Sequence, residues 1–174
     1  MNNTTVIKYL IDTNSLITPY KTYYPFDFAG KFWDQLNHAI CNGDIIVLDL
    51  VFEEVKKGDD QLSEWINEVD SSLILNHIQP AIITRYAEIL QHIQMSNFYK
   101  EKALLDWSKT DAADPWLIAT ACTYGYRIIT FETKNGNLNM VNKSARAKIP
   151  DVCSVFGVAC EDLYSMMRNL SFNM

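Results

Sequence analysis

Apolar residues fall into two patterns along the 174-residue chain. Short, dense apolar runs alternate with longer stretches in which apolar positions recur at helical spacing, and the two patterns predict buried strands and amphipathic helices respectively. Val6 to Ile11 is the first short run, and it ends in Asp12-Thr13-Asn14-Ser15, residues suited to a turn or a cap. A helix is expected over Gly30 to Cys41, with Phe32, Trp33, Leu36 and Ile40 on one face and Asn42-Gly43 as its stop. Ile45 to Leu48 reads as a second buried strand. Asp49 is placed to cap a short helix that runs to about Lys57 and ends at Gly58.

A helical middle section, about residues 59–107, follows. Leu62, Trp65, Ile66 and Val69 make an apolar stripe over Asp59 to Val69, and Leu73 to Ile78 suits a short strand. Pro80 fits the start of a helix running to about Met95, and a shorter helix is expected from Tyr99 to Trp107. In the run from Asp114 to Gly125, aspartate reads as the N-cap, Pro115 as the first helical residue and glycine as the C-terminal stop. Arg127 to Phe131 then forms a buried strand, and Val158, Leu163 and Met167 suggest a last strand edge and a closing helix. This alternation predicts one α/β domain over residues 1–174, a three-layer α/β/α fold around a mostly parallel sheet.

Composition narrows the class. A hydrophobic content of 48% with 21% charged residues is that of an ordinary globular protein. The longest apolar stretch, Ile45 to Phe52, is broken by Asp49 and is far too short to span a bilayer. Met1-Asn2-Asn3-Thr4-Thr5 has no basic region leading into an apolar one, so no secretory signal is expected and the location is read as cytoplasmic. Four scattered cysteines and three scattered histidines show no zinc spacing. The net charge of −6 argues against a general polyanion-binding surface. Lys134, Lys143, Arg146 and Lys148 nevertheless form a stretch without acids, a solvated loop or a phosphate contact.

The candidate chemistry lies in the acids. Ligands of open α/β sheets bind beyond the C-terminal ends of the strands, and acids recur there. Asp12 ends the first strand, Glu54 lies one turn into the helix after the second, Asp114 opens its helix, and Glu132 follows the strand ending at Phe131. Each has a plain alternative as a turn residue, a cap or a loop acid. Helical phasing separates Glu54, at the flank of the buried face marked by Val51 and Val55, from Glu53, which points to solvent. Four converging carboxylates repel one another unless a cation lies among them. Oxygen-only ligands suit Mg2+ or Mn2+, and such a site supports phosphodiester hydrolysis.

In order, Ile11-Asp12-Thr13-Asn14-Ser15-Leu16, Val51-Phe52-Glu53-Glu54-Val55, the run from Asp114 to Ala121 with Gly125, and Ile129-Thr130-Phe131-Glu132 resemble the acidic motifs of PIN domains. These are the nuclease domains of VapC-type toxins and many RNA-processing enzymes. The segments Tyr20 to Asp27 and Lys148 to Ser154 further resemble an uncharacterised PIN-like bacterial family. The resemblance implies an endoribonuclease of the toxin–antitoxin kind, with Asp12, Glu54, Asp114 and Glu132 carrying catalysis and the metal. Asn14 and Thr130 would hydrogen-bond behind them. One departure is that the last acid, often aspartate in PIN toxins, is Glu132, with Asp111 as an alternative ligand.

RNA is then the expected substrate, with Lys143, Arg146 and Lys148 as its candidate contacts. An antitoxin protein and a second copy of the chain are the candidate partners. Two rivals stand beside this reading. An aspartyl-phosphate phosphohydrolase would favour a second aspartate two residues after Asp12, where Asn14 stands. A catalytically silent PIN-like module binding RNA or protein would favour the loss of an acid, and all four are present.

Overall fold

In the computed structural model, which describes residues 7–173, five strands form one parallel sheet: β1 (Tyr9–Ile11), β2 (Ile45–Leu48), β3 (Ile74–Leu75), β4 (Arg127–Ile129) and β5 (Cys160–Glu161). Their order is β3-β2-β1-β4-β5. Tyr9 stands opposite Ile45 on one side and Arg127 on the other, and Val47 opposite Ile74 and Ile128 opposite Cys160 extend the ladder outward. β1 is wholly buried and β2 nearly so, as expected of parallel strands covered on both faces. The expected start of the first strand at Val6, and the leader reading of Met1 to Thr5, lie outside the described residues.

The connections are helical: α1 (Asn14–Thr18), α2 (Phe26–Cys41), α3 (Asp49–Lys56), α4 (Gln61–Asn67), α5 (Pro80–Met95), α6 (Glu101–Trp107), α7 (Ala113–Tyr124), α8 (Ile149–Phe156) and α9 (Leu163–Asn169). The chain first moves outward from β1 to β2 and β3, then returns across the sheet to β4 and β5. With right-handed crossovers this reversal sets α2 to α4 on one face and α5 to α8 on the other. The result is the expected three-layer α/β/α architecture. Among the described residues, no helix is long and apolar enough to cross a membrane.

α7 is the central helix of its layer. Ala113 and every residue from Pro115 to Ala121 are buried, because the sheet lies on one side and α5 and α8 on the others. The Trp116 ring lies flat against Tyr86 of α5, at 11° and 3.8 Å between centroids. Gly125 ends the helix in the left-handed conformation (φ 72°), and its N–H donates to the Ala121 carbonyl at 2.8 Å.

The structure corrects several details of the sequence reading. α2 begins at Phe26, with a non-helical Ala29 inside it, and a π-helical turn, Pro19–Tyr23, precedes it. α8 occupies a stretch in which the sequence suggested no helix. Ile149, Pro150, Val152 and Cys153 are buried there, and Gly157 closes it with a positive φ. The expected strand of residues 73–78 shrinks to Ile74–Leu75 after one 3-10 turn. The strand expected to reach Phe131 stops at Ile129.

Two expected N-caps stand inside their helices instead. Asp49 is the first residue of α3; its carboxylate accepts from the Leu50 N–H at 2.9 Å and also meets the Nδ1 of His77, 2.8 Å and 2.9 Å from its two oxygens. Asp114 is the second residue of α7, with Ala112 at the N-cap and no side-chain cap present. Proline is tolerated throughout the first helical turn, where its missing N–H is an orphan anyway. The Asp-Pro pair therefore settled two residues deeper than expected.

Candidate active site

The reversal of strand order falls between β1 and β4, and their C-terminal ends open the crevice where ligands of such sheets bind. Asp12 leaves β1 with its N–H still donating to the Ile129 carbonyl at 3.0 Å. Its side chain is buried, and Oδ2 accepts from Thr130 Oγ1 at 2.8 Å. Thr130 Oγ1 in turn accepts from the Glu132 N–H at 3.1 Å. Asn14 Oδ1 accepts from the Phe131 N–H at 3.0 Å. The buried Ser15 hydroxyl donates to the Ile129 carbonyl at 3.0 Å. Asn14, Ser15 and Thr130 thus tie the start of α1 to the end of β4 and set Asp12 between them.

Glu54 is carried in from α3. Thr13 Oγ1 donates to its Oε2 at 2.7 Å, which turns the side chain towards the loop after β1. Glu53 instead stands in solvent 4.0 Å from Lys56. Glu132 Oε2 accepts from the Ile149 N–H at 2.8 Å, so one of its oxygens caps α8. Asp114 differs from the rest: among the described residues no hydrogen bond supports its carboxylate.

Glu54, Asp114 and Glu132 line a cleft of about 310 Å³, with Asp106, Asp111, Trp107 and Arg146 also in its wall. Asp12 lies buried beneath. Burial pushes Asp114 up to about 7, and the charges of Asp12, Glu132 and Glu54 push in the same direction. Burial also raises Asp12 to about 6; the Thr130 hydrogen bond opposes this, while Glu132 and Glu54 add to it. The four acids named from the sequence therefore share one electrostatic field.

An anionic, all-oxygen donor set fits Mg2+ or Mn2+ in kind. As the side chains stand, no group of three or more His, Cys, Asp or Glu among the described residues is placed to hold an ion. Gathering one requires them to draw inward.

Of the basic candidates, Arg146 lines the cleft. Lys148 Nζ donates to the Thr133 carbonyl at 3.3 Å, and Lys143 is exposed on the loop. Sequence reasoning missed Thr13, whose only signal was its place in the polar run after β1. It also missed Asp106 and Trp107, which α6 brings to the cleft from a segment read only as a helix.

The family model described as domain of unknown function (DUF4411) matches residues 9–174, which takes in every strand and every acid of the cleft. The chain belongs to this DUF4411 family. No curated protein matches it.

The charge crowding has a measurable consequence for this DUF4411 chain. Asp12 and Asp114 titrate higher folded than at their ordinary value of 3.8. Between about pH 4 and pH 7 the folded state therefore binds more protons than the unfolded one, and their contribution to stability falls as pH rises. A pKa unit is worth about 1.4 kcal/mol, and each kcal/mol moves the melting temperature of a chain this size by about 2–4 °C. Asp114→Asn is expected to melt several degrees above wild type at pH 8 in EDTA. The gap should close towards pH 4 and shrink or reverse when Mn2+ stabilises the wild type. Melting curves that coincide at every pH and in both buffers would mean that the carboxylates do not share one site.

Proposed function

We propose that this protein is a cytoplasmic, metal-dependent endoribonuclease of the PIN type. The observation that supports this most is Asp114: a desolvated carboxylate without a hydrogen bond among the described residues, pushed up to about 7 by burial and three further acids. Keeping such a group unpaired costs stability, and a bound cation removes that cost.

Asp12 and Asp114 would be the main ligands, and Glu54 and Glu132 would complete the set or orient the attacking water. A divalent ion held there supplies Lewis-acid polarisation of the phosphodiester and lowers the pKa of water. Thr130 and Thr13 hold Asp12 and Glu54 in place through the 2.8 Å and 2.7 Å hydrogen bonds. Asn14 holds the backbone of Phe131, next to Glu132. Arg146, in the cleft wall, is the candidate contact for the substrate phosphate, with Lys143 and Lys148 further along the same segment. By the resemblance to VapC-type toxins, the biological role would be that of a toxin held in check by an antitoxin protein.

One observation favours a second reading, a catalytically silent PIN-like module that binds RNA or protein. The acids, as placed, form no ready ligand group among the described residues.

Incubation of the purified chain with total RNA separates the two. Cleavage is expected with Mg2+ or Mn2+, none in EDTA and none with Asp12→Asn. Glu54→Gln should lower the rate by about a hundredfold or more, the scale of a lost acid–base or electrostatic group. Glu53→Gln should leave it within about twofold, as a surface change does. Cleavage that persists in EDTA, or equal losses in the two glutamate variants, would contradict the mechanism.

A further inference from the structure

Two free cysteines meet between the last helix-to-strand pair of the sheet. Cys153 of α8 donates its thiol hydrogen to the sulfur of Cys160 on β5. The turn at Gly157 brings the two round to each other, and the Val158 N–H donates to the Cys153 carbonyl at 2.9 Å. Cys153 is 1% exposed. Cys160 is half-buried and opens into a cavity of about 370 Å³ whose wall also holds Pro150 and Ser154 of α8. Pro150 lies one turn before Cys153, so the cavity runs along the side of α8 that carries both sulfurs.

The two thiols differ in chemistry. The hydrogen bond from Cys153 holds Cys160 below its ordinary value and Lys134, in the same wall, adds to this; burial and the charges of Glu132 and Asp12 oppose it. The same hydrogen bond, with burial, pushes Cys153 up, so it keeps its proton. An accessible sulfur with thiolate character beside a buried thiol is the arrangement in which oxidation ends in a disulfide. The acids of the cavity have partners of their own: Glu132 accepts from the Ile149 N–H, Glu161 pairs with Arg127 and Asp162 caps α9. Their charge does not turn away a small neutral oxidant such as hydrogen peroxide.

α8 also reaches the acidic cleft. Glu132 lines both the cleft and this cavity, and its Oε2 accepts from the Ile149 N–H at 2.8 Å, one helical turn before Cys153. The Asn135 N–H donates to Asp151 of the same first turn at 3.1 Å. Whatever fixes α8 therefore fixes the loop that carries Glu132.

We propose that hydrogen peroxide converts Cys153 and Cys160 to a reversible disulfide that pins α8 to β5 and holds Glu132 on the helix. The Cys160 thiolate attacks one peroxide oxygen and becomes a sulfenic acid. The hydroxide released takes up the proton that Cys160 had lost, giving water. Cys153 sulfur then attacks the Cys160 sulfur, and its proton leaves with the sulfenic hydroxyl as a second water. Two thiols are oxidised by two electrons in all, and one peroxide is reduced to two waters. The sulfurs, already in contact, close to about 2.05 Å. A cation drawn into the cleft needs Glu132 to turn inward, and a pinned α8 opposes that turn. This last consequence rests on the metal-site reading of the cleft; the disulfide does not.

The test maps thiols first. The reduced full-length chain is treated with a slight excess of hydrogen peroxide, the remaining thiols are alkylated, and the digest is examined by mass spectrometry. A Cys153–Cys160 linkage is expected, with Cys122 still alkylated and full reversal in dithiothreitol. Cys122→Ser should change nothing. Cys153→Ala should leave Cys160 as a sulfenic acid that a dimedone probe captures, and Cys160→Ser should leave Cys153 unreacted. The hold on α8 is read by amide exchange, with the Ile149 N–H exchanging about tenfold more slowly once the cross-link suppresses local opening. Mn2+ should bind the oxidised form about tenfold more weakly than the reduced one, the scale of a disturbed ligand support.

A chain that forms no Cys153–Cys160 bond, or pairs Cys122 with Cys153 in its place, would overturn the proposal. So would an Ile149 amide that exchanges alike in both forms. Equal Mn2+ affinities in the two forms would overturn the effect on the cleft. A reduced chain that binds no Mn2+ would sink the metal-site reading and leave the disulfide and its hold on α8 standing.

Discussion

Repulsion among Asp12, Glu54, Asp114 and Glu132 is the constraint around which the rest of the site is arranged. A parallel sheet sends the C-terminal end of every strand to one edge, so acids placed after successive strands meet whether or not their charges agree. The chain relieves part of the conflict with local hydrogen bonds: Thr130 to Asp12, Thr13 to Glu54 and the Ile149 N–H to Glu132. Asp114 receives none among the described residues, and its carboxyl rises to about 7. The strain is concentrated on a single group at the centre of the cleft, on the helix most deeply packed in the fold. A helix buried on nearly all sides cannot turn away, so the structure holds the charge where it is.

That rigidity also explains the division of labour among the elements. β1 and β4 lie side by side at the centre of the sheet and carry Asp12 and Thr130 just past their ends. α3 and the loop after β4 bring Glu54 and Glu132 from the two sides. α6, the loop after it and the segment before α8 close the outer wall with Trp107, Asp111 and Arg146. The central groups are fixed by ladder hydrogen bonds, while those nearer the rim are held by single side-chain contacts.

Much of this was legible in the sequence where local and global preferences agree. Ile45–Leu48 is apolar throughout, as suits a strand buried on both faces. Pro80 and Gly125 mark helix ends by what their backbones can do. The phasing that set Glu54 apart from Glu53 needed only the positions of Val51 and Val55. What escaped was set by tertiary contacts. The segment from Pro19 to Ala29 mixes aromatic and polar residues without helical spacing, and its π-helical turn and kinked start are held by packing such as Phe26 on Trp33, 4.4 Å between centroids. Asp49 looked like a cap, and only the fold brings His77 to it. In α8 the first residue, Ile149, draws its cap from Glu132, 17 residues back, and no local pattern reveals such a partner.

The claim that these carboxylates form one charge-crowded, cation-binding site is tested most directly by counting protons on metal binding. Calorimetric titration of Mn2+ into the chain at pH 6.5, in two buffers of different ionisation enthalpy, reports the protons released. With Asp12 near 6 and Asp114 near 7 in the free protein, binding should expel about one proton, and Asp114→Asn should abolish most of that release. Heats that are the same in both buffers, or no binding of Mn2+ at all, would contradict the account.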